Sequence, residues 1–312
     1  MTVLVFGEAL VDVVADPDDP QRFTAHPGGS PANLSIALAR LGVQVEFAGR
    51  ISDDRFGGLI RAHLTANDVD LSYSVEAPEQ TTLAIVTLDE NRAAEYAFYS
   101  TGTADWQWTD AELPRELGPE IAAVHGGSMT LAMAPGGEVI ERFLASQRAE
   151  RVVTIDPNVR PDIIGPLDAY RVQLERWLKI ADIVKVSSDD LAVVYGDADP
   201  LAIARDWRAV EGGPSLVVVT CAGDGSFALL DADDEPVRRA PEPVTVVDTV
   251  GAGDSFMAGL LDALARSDRL SRPGLAKLTR EDVAAALDWA TRVAGVTVSR
   301  PGADPPRRAE VP

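Results

Sequence analysis

Apolar residues in this chain fall into two rhythms. Short aliphatic runs at 3–6, 9–14, 45–49, 121–124, 151–155, 183–186, 216–220 and 226–230 predict buried strands. Segments 81–88 and 93–99 alternate apolar and polar positions around a polar turn at 89–92, the pattern of a hairpin with one open face. Between the runs, spacing near 3.6 takes over. Leu34, Ala37, Leu38 and Leu41 form a stripe on a helix that Ser30 would cap, Pro31 would open and Gly42 would stop. Further helices are predicted from the turn at 52–57 through Leu64, and at 139–144, 170–178, 188–195 and 280–294, with a last strand at 296–299. The β-branched run 244–247 reads as a strand feeding Gly251 to Gly253, and Phe256, Leu260 and Leu264 mark the helix that follows. After residue 100, strands and helices alternate, which implies a mostly parallel sheet with helices on both faces. The hairpin-rich segments around 10–26 and 72–104 read as a small β sub-structure projecting from one α/β domain that spans 1–312.

Composition narrows the possibilities. The 312 residues carry a formal net charge of −21, which argues against nucleic acid and anionic membranes as partners. No apolar run approaches the ~20 residues of a membrane helix. Residues 3–6 enter a strand pattern at once, without a charged leader or cleavage motif, so no secretory signal is expected. The single cysteine, Cys221, excludes an internal disulfide and fits a cytoplasmic protein. Its plainest reading is a small buried residue at a strand end.

The chemistry gathers at two glycine-rich helix starts. In Asp248-Thr249-Val250-Gly251-Ala252-Gly253-Asp254, glycines let backbone amides point outward together at a helix N-terminus, which makes an anion site. Asp254 at its mouth suits phosphoryl transfer, where amides hold the phosphoryl group and the carboxylate takes a proton from the attacking hydroxyl. The helix dipole would keep that carboxylate ionised near neutral pH. The other start, Gly28-Gly29-Ser30-Pro31-Ala32-Asn33, puts Asn33 in a first helical turn, although a plain capped helix explains the local pattern equally well. Asp12 is a lone carboxylate inside an apolar run and needs partners, either a neighbouring loop or the hydroxyls of a ligand. The acidic turn at 16–19 reads as solvated. No G-x-x-x-x-G-K-[ST] or G-x-G-x-x-G motif occurs, and His26, His63 and His125 are too scattered for a zinc site. Gly28 to Ala32 loosely mimics a nucleophile elbow, but Pro31 removes the amide an oxyanion hole would use.

Taken together, D-T-V-G-A-G-D-S-F at 248–256 and G-G-S-P-A-N at 28–33 resemble the two signatures of the ribokinase-like (PfkB) sugar kinases. G-E-A-L-V-D at 7–12, D-P-N-V-R at 156–160, K-V-S at 185–187 and S-R-P-G-A at 299–303 follow in the family's order. The resemblance spans essentially the whole chain. It implies a three-layer α/β domain with a mostly parallel central sheet and a β lid over the sugar. Asp254 would be the catalytic base and the amides of Gly251, Ala252 and Gly253 the anion hole. Asp12, Gly28, Gly29, Asn33, Phe98 and Arg160 would face the sugar. Lys185, Ser187, Thr220, Gly223 and Gly225 would lie by the nucleotide. ATP and Mg2+ are the implied cofactors.

The chain departs from the family pattern in three places. Where relatives often carry N-x-x-E to organise magnesium water, this chain has Ser187-Ser188-Asp189-Asp190, so Asp190 would act through water. A monovalent-cation site, for K+, would use Asp248, Val250 and the loop near Arg300 and Gly302, but Pro306 stands where a hydroxyl residue often sits. The opening segment, the D-P-N-V-R loop and Phe98-Tyr99 look most like fructokinases and 2-keto-3-deoxygluconate kinases, yet Ser100 occupies a place where those relatives usually have arginine. That favours a neutral ketose, most of all fructose. A ketodeoxygluconate, ribose or nucleoside kinase, and a non-catalytic sugar- or nucleotide-binding protein, are the alternatives. Apolar positions along the hairpin, such as Leu83, Ile85 and Val86, suggest two lids clasped in a homodimer.

Overall fold

The computed structural model describes residues 1–16, 19, 21–88, 94–231, 233 and 235–312. The hairpin turn expected at 89–92, and Pro17 with Asp18 of the acidic turn, lie outside them.

β1 (Thr2–Phe6) is buried along its whole length and alternates between two cores. Val3 and Val5 point into one, Leu4 and Phe6 into the other. Beyond Gly7 the chain leaves this layer. β2 (Leu10–Ala15) and β3 (Phe23–Gly28) run antiparallel, with Asp12 opposite His26 and Leu10 opposite Gly28. α1 (Ser30–Arg40) returns to the main body and β4 (Gln44–Ala48) pairs in parallel beside β1. β5 (Arg50–Ser52), α2 (Arg55–Ala66) and β6 (Val75–Ala77) follow, the two strands forming their own parallel pair. β7 (Leu83–Leu88) and β8 (Ala94–Tyr99) complete a second sheet in the order β3-β2-β7-β8. The lid strands of the second segment therefore begin at Leu83, because 75–77 are taken by β5.

The alternating half comprises β9 (Ile121–Gly127), α3 (Ser128–Ala132), α4 (Gly136–Gln147), β10 (Val152–Asp156), α5 (Leu167–Ile180), β11 (Ile183–Ser187), α6 (Ser188–Tyr195), α7 (Pro200–Arg208), β12 (Leu216–Thr220), β13 (Ser226–Leu229), β14 (Val237–Arg239), α8 (Ala252–Arg266), α9 (Arg272–Leu275) and α10 (Arg280–Val298). The main sheet has eight strands in the order β14-β13-β12-β11-β10-β9-β1-β4. It is parallel from β12 to β4, with β13 and β14 added antiparallel at one edge. One core sits between the sheet and α1, α2, α8 and α10, the other between the sheet and α4 to α7. Helices thus cover both faces of a mostly parallel sheet, and a smaller sheet projects from it. α8 and α10 touch closely, since a Cβ on Gly259 would stand 2.7 Å from the Ala290 Cα.

Three expectations are corrected. Residues 244–247 form no strand: Val244, Val246 and Val247 are exposed, and the Val247 and Asp248 amides both donate to the Val298 carbonyl instead of a neighbouring strand. Residues 296–298 continue α10, with Thr297 Oγ1 turned back to the Val293 carbonyl (3.2 Å) and to Ser255 Oγ (2.8 Å); helix packing overrides their β-branched preference. Ser30 does not cap α1. Gly29 holds the cap position at φ 104, and the Ser30 hydroxyl goes elsewhere. The pattern also left β3, β5, β6, β14, α3, α7 and α9 unseen.

Candidate active site

The carboxyl ends of the parallel strands open towards the lid, and the loops leaving them carry the polar residues, as open α/β sheets arrange their ligands. At the centre, the first turn of α8 faces the first turn of α1. Ser30 Oγ donates to Asp254 Oδ1 at 2.6 Å and Asn33 Nδ2 donates to Oδ2 at 3.3 Å. Ser30 and Asn33 are three residues apart, so one helical turn brings both to the same face. Gly29 makes this possible, because a Cβ there would meet the Glu8 carbonyl oxygen at 2.7 Å.

Gly251 starts α8 in the left-handed region, at φ 74, and lies against Ala303 of the C-terminal loop. The Ala252 amide donates to the Thr249 carbonyl (3.2 Å), and among the described residues the Gly251 and Gly253 amides have no carbonyl partner. Lys185, in the middle of β11, reaches this turn from beneath: a Cβ on Gly253 would be 2.9 Å from its Nζ. The ammonium is buried and paired with Asp156 Oδ2 at 2.7 Å. Burial, the largest single effect, would lower the Lys185 pKa, but the charge and hydrogen bond of Asp156 together with the charges of Asp254 and Asp190 outweigh it and raise the value, so the lysine is charged.

Asp254 can be reached from the cleft yet is ringed by protein atoms. Burial raises its pKa to about 6, against the Ser30 hydrogen bond and the Lys185 charge, which pull it down. It is therefore largely ionised at neutral pH because these partners restrain the effect of burial; the helix position alone does not account for it.

The lid side of the cleft is built around Asp12. A Cβ on Gly28 would stand 2.4 Å from Asp12 Oδ2, so the glycine leaves room for the carboxylate. Burial raises the Asp12 pKa to about 6, opposed by the charges of His26 across the strand pair and of Arg160. Arg160 Nη1 is held by Asn158 Oδ1 (2.9 Å) and the Val159 carbonyl (3.1 Å). Phe98 packs with Leu10, Ala84, Trp106 and Met129 as an apolar wall under the lid, while Tyr99 faces outward. Residues 28–33 thus link Asp12 to Asp254 in one short segment.

The nucleotide-side residues lie on adjacent strand ends, with Ser187 opposite Thr220 in the β11–β12 register. The Ser187 hydroxyl accepts the Asp190 amide at 3.0 Å, the hydrogen bond of a helix cap. Thr220 Oγ1 lies 3.5 Å from the Val186 carbonyl. The turn after β12 closes through the Cys221 amide and the Gly225 carbonyl (2.7 Å). Gly225 has φ 85 and sits under the Arg239 carbonyl, whereas Gly223 faces open space.

Of the candidate metal residues, Asp190 gives Oδ1 to the Val159 amide (2.9 Å) and Oδ2 to the Ser187 amide (3.3 Å). Asp248 accepts the amides of Val250 (3.0 Å) and Gly302 (2.8 Å), bringing those three together, but the Arg300 guanidinium turns away to Glu310 (2.7 Å). No cluster of three or more His, Cys, Asp or Glu suited to a metal occurs among the described residues.

Pattern reading missed Ser30 as a site residue, Asp156 as the partner of Lys185, and a buried carboxyl knot beneath the lid. In that knot Asp105 accepts the Ala9 amide (3.0 Å) and the Thr82 hydroxyl (2.5 Å), and Glu8 accepts the Thr130 hydroxyl (2.7 Å). The only sequence signal for the knot was an acidic residue inside the apolar stretch at Glu8.

Comparison with known proteins gives a consistent picture. The chain matches the pfkB family carbohydrate kinase profile over residues 2–309. A fructokinase from Rhizobium leguminosarum bv. trifolii is 38% identical over 283 residues, 89% of this chain and 84% of that protein. The crystal structure of Xylella fastidiosa fructokinase with bound ATP superposes with a TM-score of 0.87 at 28% identity, covering 97% of this chain and 93% of that one. A Vibrio cholerae O395 fructokinase double mutant in its fructose-, ADP- and potassium-bound form gives 0.82 at 26%, covering 97% and 93%.

Proposed function

The chain belongs to the pfkB family of carbohydrate kinases and is an ATP-dependent sugar kinase, and from that premise we propose that its acceptor is the primary hydroxyl of fructose. The observation that carries the reading is the position of Asp254, hydrogen-bonded to the first turn of α1 and set beside the Gly251–Gly253 turn that Lys185 underlies. A sugar gripped by Asp12 and the 28–33 segment would present its hydroxyl to Asp254. Asp254 takes the proton, the alkoxide oxygen forms a bond to the γ-phosphorus, and the bond to the ADP oxygen breaks. The Gly251 and Gly253 amides and the Lys185 ammonium would meet the charge on the transferring group, the largest catalytic effect in such a site. Phe98 would supply the apolar wall, and Arg160 would steady Asp12.

Mg2+ would neutralise phosphate charge when bound with the nucleotide. Asp156 and Asp190 already serve Lys185 and backbone amides, so these residues fit an ion carried on the phosphates and reached through water, with Asp190 the nearest candidate. Thr220, Gly223, Gly225 and Ser187 would border the nucleotide. The Asp248, Val250 and Gly302 loop would hold a K+ ion, as a potassium-bound form of the Vibrio protein encourages. The exposed lid residues Val14, Phe23 and Tyr99 would pair two lids in a dimer.

Fructose is favoured over a sugar acid by the fructokinase relatives and by Ser100 at the lid, which adds no cation. An ADP-release assay with fructose, ribose, 2-keto-3-deoxygluconate and a nucleoside is expected to give the highest kcat/KM for fructose. A preference for any of the others overturns the substrate, and no turnover with any would revive a binding protein.

A further inference from the structure

Ser30 is the residue whose behaviour the capped-helix reading does not explain. It stands at the first position of α1, next to Pro31, with no side-chain capping bond. Its hydroxyl instead crosses to α8 and meets Asp254 Oδ1 at 2.6 Å, the shorter of the two side-chain hydrogen bonds to that carboxylate. Asn33, one turn later, touches the other oxygen at 3.3 Å. A carboxylate oxygen that accepts a short hydroxyl bond is a weaker proton acceptor than one held loosely.

We propose that Ser30 is a positioning residue for the base: by binding Oδ1 it fixes the plane of the Asp254 carboxylate and leaves Oδ2, touched by the longer Asn33 bond, to take the proton of the sugar hydroxyl. The inference rests on the reading of Asp254 as that base. Three rigid features hold the arrangement. Gly29, pressed on the Glu8 carbonyl, sets the start of α1. α1 packs on α8 in one core through Leu34, Leu38, Leu260 and Leu261. Gly251, pressed on Ala303, sets the start of α8. The serine is reached by the chain's own geometry, so orientation need not await the sugar.

The charged groups facing Asp254 are Lys185 on β11 and Asp156 at the end of β10, and Asp190 on α6 faces the same ammonium. Lys185 favours the ionised base and Asp156 opposes it; Ser30 and Asn33 add hydrogen bonds that favour it. Removing the hydroxyl takes stabilisation from the charged form alone. The base then protonates at a higher pH, and activity on the acid side is lost earlier.

The test compares wild type, Ser30→Ala and Ser30→Thr by kcat and kcat/KM against pH, with fructose and ATP and with thermal midpoints as a check on folding. Ser30→Ala is expected to lower kcat about tenfold at pH 7 and to move the acid limb of kcat/KM upward by about half a pH unit to one. KM for ATP should stay within about threefold, since Ser30 faces Asp254 and not the phosphates. Ser30→Thr, which keeps the hydroxyl, should restore most of both. A Ser30→Ala enzyme with wild-type kcat and an unmoved limb would overturn the positioning role while leaving the base reading intact. Normal turnover in Asp254→Asn, by contrast, would remove the base itself.

Discussion

Two aspartates, one half-buried at the cleft and one fully buried beneath the lid, have opposite surroundings. Asp254 has a cation near it, Lys185, and opens towards the space where substrate would lie. Asp105 is closed in; among the described residues its donors are neutral, the Ala9 amide and the Thr82 hydroxyl, and a second carboxyl, Glu8, is nearby. Burial raises both, to about 6 for Asp254 and to about 7 for Asp105. The difference is one of purpose. A base, the role proposed for Asp254, must be ionised yet able to accept a proton, and a nearby cation with two hydrogen bonds would set that balance. Asp105 works through hydrogen bonds: it joins Ala9, where the chain enters the lid, to Thr82, where it enters a second time, and Thr82 in turn meets Thr103 at the exit (2.6 Å).

Setting Asp254 itself aside, the largest effect should come from Lys185→Met, which strips Asp254 of its cation. It would leave Asp156 buried without its partner, at about 3–5 kcal/mol of stability. It should also lower kcat by about 10²–10³. Denaturant unfolding and steady-state kinetics on the same preparation check both; a stable, fully active variant would erase the distinction between the two aspartates.

Next is Asp105→Asn. With a folded pKa of about 7 against an ordinary 3.8, the folded protein holds a proton over a range where the unfolded chain has lost it. This group's contribution therefore falls as pH rises from about 4 to 7 and is level above that. Asparagine can accept from Ala9 and donate to Thr82 without a charge to bury. The variant should lose that slope and be more stable than wild type at pH 8 by on the order of a few kcal/mol, with turnover little changed. Parallel stability–pH curves for the two proteins would contradict the assignment.

How much of this was legible in sequence follows the reach of the interactions. Asp254 and its glycines stood out as candidates because a glycine-rich helix start is a local pattern, and Asp12 because a charge in an apolar run is conspicuous. The Ser30 hydroxyl was misread because its partner is 224 positions away, and its local context fits a cap equally well. The run at 244–247 looks like a strand, yet among the described residues no neighbouring strand pairs with it. Thr297 sits in a helix because α10 packs on α8, which no short window contains. β3 carries Pro27 and mostly solvent-facing residues, so it lacks the apolar alternation of a strand. Asp105 stands just before Trp106 and Trp108 in sequence, and its role depends on three chain crossings that only the fold brings together.

The smallest effect concerns the lid that Asp105 anchors. Val14, Phe23 and Tyr99 are 36%, 47% and 65% exposed on it. Sedimentation at micromolar concentration is expected to give a dimer, which Phe23→Asp should weaken; a clean monomer would count against the clasp.

The central claim is that Asp254 is the base that takes the proton of the sugar hydroxyl. Turnover of Asp254→Asn with fructose, measured beside calorimetric ATP binding, tests it most directly. The account predicts kcat lower by about 10³ or more, with ATP affinity within about threefold of wild type. Turnover within about tenfold of wild type would contradict it.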